Sequence, residues 1–185
     1  WENRISLSST GFYKTPKINW DQNNLKGRPY FYYTWGAAVS ESLIDISTGE
    51  NRILKAHIIE DCGKSLNEAI DIGQIEGGFV QGLGWLTCEE LYFNSVGKLL
   101  TVGPSTYKIP GSRDVPSEFH VKLLENTFNE EKTIFRSKAV GEPPLLLAIS
   151  HFLALKNALS SVSKSSDTLT LNVPVTPTEL LRAIN

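Results

Sequence analysis

The spacing of apolar positions along this chain switches from strand-like to helix-like just past residue 60. Tyr30 to Ile46 is dense in aromatic and β-branched residues and ends in apolar–polar alternation, which predicts a strand bent at Gly36. Thr48-Gly49 has turn chemistry, and Arg52 to Glu60 predicts a second strand that closes an antiparallel hairpin. After the loop Asp61 to Asn67, the apolar residues Ala69, Ile72, Ile75, Phe79, Leu83 and Leu86 recur at helical spacing, with Asn67 as N-cap. A second hairpin is expected from Glu90–Phe93 and Lys98–Val102 around the turn Asn94–Gly97. Further strands are expected over Phe119–Leu124, Thr133–Arg136 and Leu169–Val173. Pro143 to Val162 reads as one long helix whose first half is apolar nearly all round, and hence buried. A Ser-rich loop, 160–168, follows it. Thr176, Pro177 and Glu179 then form the opening signature of a terminal helix. Residues 1–29 are polar and irregular, an arm or linker, and 30–185 form one domain. Hairpins and helices without βαβ alternation give the class α+β: antiparallel β-hairpins with glycine-rich and apolar helices.

Composition changes this picture little. The 41% apolar and 21% charged content is that of an ordinary globular protein, and a net charge of −2 gives no basic footprint for nucleic acid. No apolar run is long enough for a membrane span. The two cysteines, Cys62 and Cys88, make neither a disulfide framework nor a zinc motif, and are expected as free thiols in a reducing cytoplasm. A start at Trp1 and the lack of methionine suggest a piece of a longer polypeptide.

Candidate chemistry concentrates in three stretches. Arg136-Ser137-Lys138-Ala139-Val140-Gly141-Glu142-Pro143-Pro144 sets one carboxylate between a glycine and two prolines, at the mouth of a helix. Pro143 suits the first helical turn, where a missing N–H costs nothing. Glu142 is either a cap that complements the helix dipole or a general base. As a base it needs the dipole, which lowers its pKa, offset by desolvation, for which Pro143, Pro144 and Leu145 are the candidates. The second stretch runs from Gly73 to Gly84 and carries glycines at 73, 77, 78, 82 and 84. Each costs a helix up to about 1 kcal/mol against alanine, so close approach of another backbone or a ligand is implied. Gln74 either offers donor and acceptor to a polar ligand or is an incidental polar residue on a packing face. In the third, Gly103 to Pro110, Tyr107 and Lys108 either line a pocket or belong to an ordered surface loop. His57, His120 and His151 are scattered with no HxH or HExxH, so no metal site made by protein side chains is expected. The glycines lack GxGxxG spacing, and there is no GxSxG or Walker loop.

Taken together these stretches resemble one family. Gly73-Gln74-Ile75-Glu76-Gly77-Gly78-Phe79-Val80-Gln81-Gly82-Leu83-Gly84, Glu89-Glu90-Leu91, Gly103-Pro104-Ser105-Thr106-Tyr107-Lys108-Ile109-Pro110 and Ser137-Lys138-Ala139-Val140-Gly141-Glu142-Pro143-Pro144 are similar to the C-terminal part of the molybdenum-binding region of the xanthine dehydrogenase family. Ser9-Thr10-Gly11-Phe12-Tyr13 and Asp71-Ile72-Gly73 fit the same pattern. The sister aldehyde oxidases usually lack the Pro-Pro after the glutamate and differ around Ser105-Thr106, which favours the xanthine branch. Gln74 to Gly78 and the lead-in Phe135-Arg136-Ser137 look more like the bacterial form, with its separate molybdenum subunit.

The resemblance implies a molybdenum hydroxylase of purine catabolism that converts xanthine and hypoxanthine to urate. Its cofactor would be a molybdopterin-bound molybdenum with no direct protein ligand. The residue matching Glu142 would take a proton as oxygen attacks the electron-poor purine carbon. Gln74 would contact the cofactor near the metal, and Ser137, Lys138, Ala139, Val140 and Gly141 would contribute to the same pocket. Two 2Fe-2S clusters and FAD would lie in other domains or subunits of a cytoplasmic, oligomeric complex, because two cysteines cannot ligate two clusters. The substrate-orienting residues would lie in the remainder of the molybdenum-binding region, so the isolated chain is expected to be inactive. Two alternatives remain open: an aldehyde- or N-heterocycle-oxidising relative, and a non-catalytic structural or interaction fragment that binds no molybdenum.

Overall fold

The computed structural model describes residues 4–162 and 170–184 and divides into two compact units, Trp1–Tyr33 and Thr34–Asn185. The first unit carries one short antiparallel hairpin, β1 (Asn19–Asp21) with β2 (Lys26–Arg28). Its turn is an Asx turn in which Asp21 Oδ1 accepts the N–H of Asn23 at 3.0 Å and of Asn24 at 3.2 Å. This hairpin is the one regular element in the described part of the polar arm.

The second unit is built on a three-stranded sheet in the order β3-β4-β5. Strands β3 (Gly36–Ile44) and β4 (Asn51–Glu60) form the expected hairpin, with a register shift between Glu41 and Ser42. Alternation sets the faces from Ala56 on: Ala56, Ile58 and Glu60 of β4 point inward and are buried, while His57 and Ile59 point out, and the extra residue Leu54 at the register shift leaves Ile53 buried as well. Helix α1 (Glu68–Thr87) covers the inner face, and Asn67 Oδ1 caps it by accepting the Ile70 N–H at 3.3 Å. Ile75, Phe79, Leu83 and Leu86 form its buried stripe against β4. Phe79 also meets Phe119 of β5 (Glu118–Leu123), ring centroids 5.5 Å apart. A second cluster joins Leu155 and Leu159 of α2 (Ile149–Ser160) to Leu171, Val175 and Leu180, the last on α3 (Pro177–Ile184). The Glu179 N–H donates to Thr176 Oγ1 at 3.3 Å, as the helix-opening signature requires.

The α+β reading holds, with local corrections. Strand β5 pairs parallel to β4, so α1 lies within a parallel β4–α1–β5 connection rather than between hairpins. Tyr30 to Trp35 stays outside β3, which begins at Gly36. The hairpin expected over 90–102 reduces to a single bridge, Phe93 to Leu99. Ile134–Arg136, expected as a strand, is a 3-10 turn in which Phe135 (φ 50°) and Arg136 (φ 63°) are left-handed. Side chains there capture the ladder groups: Thr133 Oγ1 and Asn129 Nδ2 both donate to the Ser137 carbonyl. The long apolar helix opens as a 3-10 stretch, Pro143–Ala148, before α2, with the two prolines at its first positions. Of the strand expected at 169–173, residues 170–173 are irregular and Leu169 lies outside the described residues, as does most of the Ser-rich loop 160–168.

His151 on α2 is buried, its Nδ1 2.8 Å from Ser42 Oγ, and burial pushes its pKa down to about 4. Among the described residues, no helix is long and apolar enough to cross a membrane.

Candidate functional site

The site is assembled where the segment 136–148 crosses the loop after β4 and then the glycine side of α1. At the loop, Gly63 and Ser137 form an antiparallel bridge. The Lys138 N–H donates to the Cys62 carbonyl at 2.8 Å and the Lys64 N–H to the Arg136 carbonyl at 3.1 Å. Gly63 has φ +62°, and a Cβ there would collide with the Arg136 carbonyl, so glycine is required. The Lys138 ammonium lies 2.5 Å from Asp61 Oδ2, and both side chains are almost wholly buried. Asp61 Oδ1 accepts the Gly63 N–H at 2.9 Å, which occupies the second carboxylate oxygen.

At the helix, the glycines serve close backbone approach. A Cβ on Gly78 would stand 2.7 Å from the Gly141 carbonyl oxygen, and one on Gly82 2.7 Å from Ala148 Cβ and closer still to the Leu145 carbonyl. Gly84 makes room for Pro110 in the same way. Gly73 and Gly77 differ, for nothing lies within 4 Å of a Cβ built on either. The two missing side chains leave an open notch on that side of α1. Gln74 is exposed beside it, and its Nε2 lies 3.2 Å from where a Gly141 Cβ would be.

The structure thus brings Gln74 to Gly141, the residue before the exposed Glu142, across 67 residues of sequence. Glu142 is exposed, caps nothing with its side chain, and among the described residues its carboxylate makes no hydrogen bond or ion pair. The capping reading is therefore not supported. Nor do Pro143, Pro144 and Leu145 desolvate it: Pro144 is buried against Gly78, which turns the apolar run inward and leaves Glu142 at the surface. The remaining expected contacts divide. Ala139 is exposed next to Val140, which packs on the core. Ser137 and Lys138 spend their side chains on the fold, Ser137 Oγ donating to the Ile134 carbonyl at 2.7 Å and Lys138 pairing with Asp61. Tyr107 and Lys108 line a surface cavity of about 500 Å³ with Leu91, Val102 and Ile109. The Tyr107 hydroxyl donates to Glu89 Oε2 at 2.6 Å, which holds the phenol pKa above its usual value. Among the described residues no group of three or more His, Cys, Asp or Glu is placed to hold a metal ion.

Asp61 and Glu60 were not singled out by sequence, since nothing local marks a partner 77 residues away. Glu60 is 2% exposed and its Oε2 has no hydrogen-bond partner. Burial, then the neighbouring Asp61 charge, raise its pKa to about 7. A carboxyl raised in the fold stabilises fully below about pH 4.5, and the contribution is lost as pH rises through about 7. His151 works in the opposite sense, its contribution being present above about pH 6.5 and lost as pH falls toward 4. Glu60→Gln is therefore expected to stabilise the chain more at pH 8 than at pH 5, by up to roughly 3 kcal/mol. Denaturant unfolding at the two pH values checks this; equal gains at both would show that Glu60 ionises normally in the fold.

A molybdopterin cofactor-binding domain model matches residues 1–116. A xanthine dehydrogenase/oxidase of Felis catus is 49% identical over 97% of this chain and 14% of that protein. The Gallus gallus protein of the same name is 47% identical over 99% of this chain and again 14% of the relative. This chain thus spans about one seventh of the length of the relatives it matches. Both are vertebrate proteins, and the likeness to a bacterial form receives no support. Among solved structures, quinoline 2-oxidoreductase from Pseudomonas putida 86 superposes with a TM-score of 0.67 at 30% identity, covering 76% of this chain and 17% of that one.

Proposed function

This chain belongs to the molybdopterin cofactor-binding family and matches xanthine dehydrogenases along nearly its whole length, and from that premise we propose that it supplies one wall of a pterin–molybdenum site together with the general base, Glu142. The reaction is the hydroxylation of xanthine or hypoxanthine to urate. The observation that carries this reading is the juxtaposition of Gln74, Gly141 and Glu142 beside the open Gly73–Gly77 notch. An exposed carboxamide and a carboxylate without a hydrogen-bond or ion-pair partner among the described residues flank Gly141, next to a side of α1 where space is kept by missing side chains.

The residues present fit the cofactor. Gln74 can donate to and accept from its polar rim, and the notch admits a bulky group against the helix. Ala139 and Gly141 present backbone at the surface, while Ser137, Lys138 and Val140 fix the loop beneath. When bound, the molybdenum cofactor supplies oxygen transfer and accepts the substrate's electrons. Glu142 accepts, at its carboxylate, the proton released as the product's C–O bond forms. The remaining pocket residues, the iron–sulfur clusters and the FAD belong to other parts of a cytoplasmic, oligomeric enzyme. Exposed Ile70, Phe128, Ile134, Phe135 and Leu146 form apolar surface that the rest of the molybdenum-binding region covers. By itself the chain forms no urate.

Gln74→Ala in the intact enzyme is expected to lower molybdenum affinity by about tenfold or more with an unchanged Tm, because the side chain is exposed and supports no core contact. Metal content after graded chelation measures it; unaltered retention would remove Gln74 from the cofactor site. The similarity to quinoline 2-oxidoreductase supports a second reading, oxidation of another N-heterocycle or an aldehyde. Comparing kcat/KM of the intact enzyme on xanthine, quinoline and an aldehyde separates the two. Highest kcat/KM on xanthine is expected, and preference for either of the others moves the assignment to the second reading.

A further inference from the structure

We propose that Asp61 is a positioning residue for Glu142, acting through its buried ion pair with Lys138. The inference rests on Glu142 being the base. The segment that carries Glu142 is held at two places. C-terminal to it, Pro144, Leu145 and Ala148 lie against Gly78 and Gly82 of α1. N-terminal to it, the short bridge at Gly63 and Ser137, the Lys138 N–H on the Cys62 carbonyl, the packing of Val140 on the core and the Lys138–Asp61 pair attach it to the sheet.

The N-terminal attachment is under opposing demands. Phe135 and Arg136 are consecutive non-glycine residues in the left-handed region, a costly backbone that persists only where its surroundings over-determine it. The surroundings are visible. The Arg136 guanidinium donates to the carbonyls of Asn129 and Glu130, and the buried Asn129 donates to the Ser137 carbonyl. Just beyond Ser137, the Lys138 N–H donates to the Cys62 carbonyl and the Lys138 ammonium pairs with Asp61, the buried ionic anchor of the loop. Asp61 is itself rigid. Its N–H donates to the Trp35 carbonyl at 2.8 Å, and its second carboxylate oxygen holds the Gly63 N–H. The pair thus links the end of β4 to the loop four residues before Glu142. Releasing it loosens the N-terminal end of Ala139–Glu142, leaving Val140 on the core and the Gly141 contact with α1 to hold it, which displaces the carboxylate without removing it. A displacement of about 1 Å at a reacting group is enough for a loss of roughly 10²-fold in rate.

The test uses the intact holoenzyme with three variants: Asp61→Asn, Lys138→Met and the double Asp61→Asn/Lys138→Met. Either single variant leaves one buried charge unpaired and is prone to misfold; the double variant leaves none. The double variant is expected to keep its molybdenum content and its KM for xanthine within about threefold, and to lose about 10²-fold in kcat. Independently of turnover, amide hydrogen exchange across residues 138–142 is expected to quicken in the molybdenum-free double variant while α1 stays protected. Placed on Glu142→Gln, the same pair of changes should lower kcat no further, because a displaced base and an absent base are equivalent. If Glu142→Gln proves fully active, the base reading fails whatever the Asp61 variants do. If Glu142→Gln is inactive and the double variant keeps normal kcat and normal exchange, the positioning role is wrong and the base reading stands. Loss of fold or of molybdenum in the double variant would also overturn the proposal, by making the pair a requirement of structure alone.

Discussion

Glu142→Gln in the intact enzyme is expected to lower kcat by about 10²–10⁴-fold, with molybdenum content, KM and Tm close to those of the unaltered protein. Glutamine keeps the size and the acceptor oxygen of the side chain but cannot take a proton. The two readings of this residue make opposite forecasts. A capping glutamate would lose about 1 kcal/mol of stability on replacement and leave turnover alone. Here the side chain caps nothing and stands exposed next to Gly141, so the expected effect falls on turnover and not on stability. Steady-state kinetics beside a thermal melt distinguishes them, and activity within a few-fold of normal would refute the assignment of Glu142 as base.

The second large effect is structural. Gly82→Val is expected to destabilise the unit by about 3 kcal/mol, toward the upper end for overpacking. For a unit of this size that corresponds to a fall of roughly 6–12 °C in the melting transition. A Cβ at this position meets Ala148 Cβ at 2.7 Å and comes closer still to the Leu145 carbonyl, a backbone atom that cannot rotate away. The gain in helix propensity on replacing glycine is at most about 1 kcal/mol and does not compensate. Displacing 145–148 from α1 would also move Glu142, so activity should fall with stability. Gly73→Ala is the internal control. Space is open there, and the chain should tolerate the methyl or gain up to about 1 kcal/mol. A melt in which both substitutions cost the same would show that the glycines of α1 are not distinguished by packing.

The elements that sequence made legible are those whose signals are local. Asn67 marks the start of α1 because an Asx oxygen is needed at a helix N-terminus, and Thr176 and Pro177 mark α3 for related reasons. The glycine-rich helix was readable as a close-approach surface, but which glycines face protein and which face open space depends on where 141–148 lands. Strand β5 looked like any alternating segment, and its parallel pairing to β4 is set by the crossover through α1, which no window of residues contains. The 3-10 turn at Ile134–Arg136 follows from hydrogen bonds that start at Asn129 and Thr133, outside the apparent strand. In the site, Gln74 and Glu142 carried motif signals, whereas Asp61 meets the loop through a lysine distant in sequence. Lys138 and Ser137 show the converse, residues inside the motif whose side chains are committed to holding the loop.

The central claim is that this chain forms part of a pterin–molybdenum cradle. Elemental analysis of the intact protein, isolated from its source without added metal, tests that most directly. Stoichiometric molybdenum, falling when Gln74 is replaced and unchanged when Glu142 is, is the result expected. A folded, intact protein devoid of molybdenum would contradict the claim and leave the chain as a structural or interaction module.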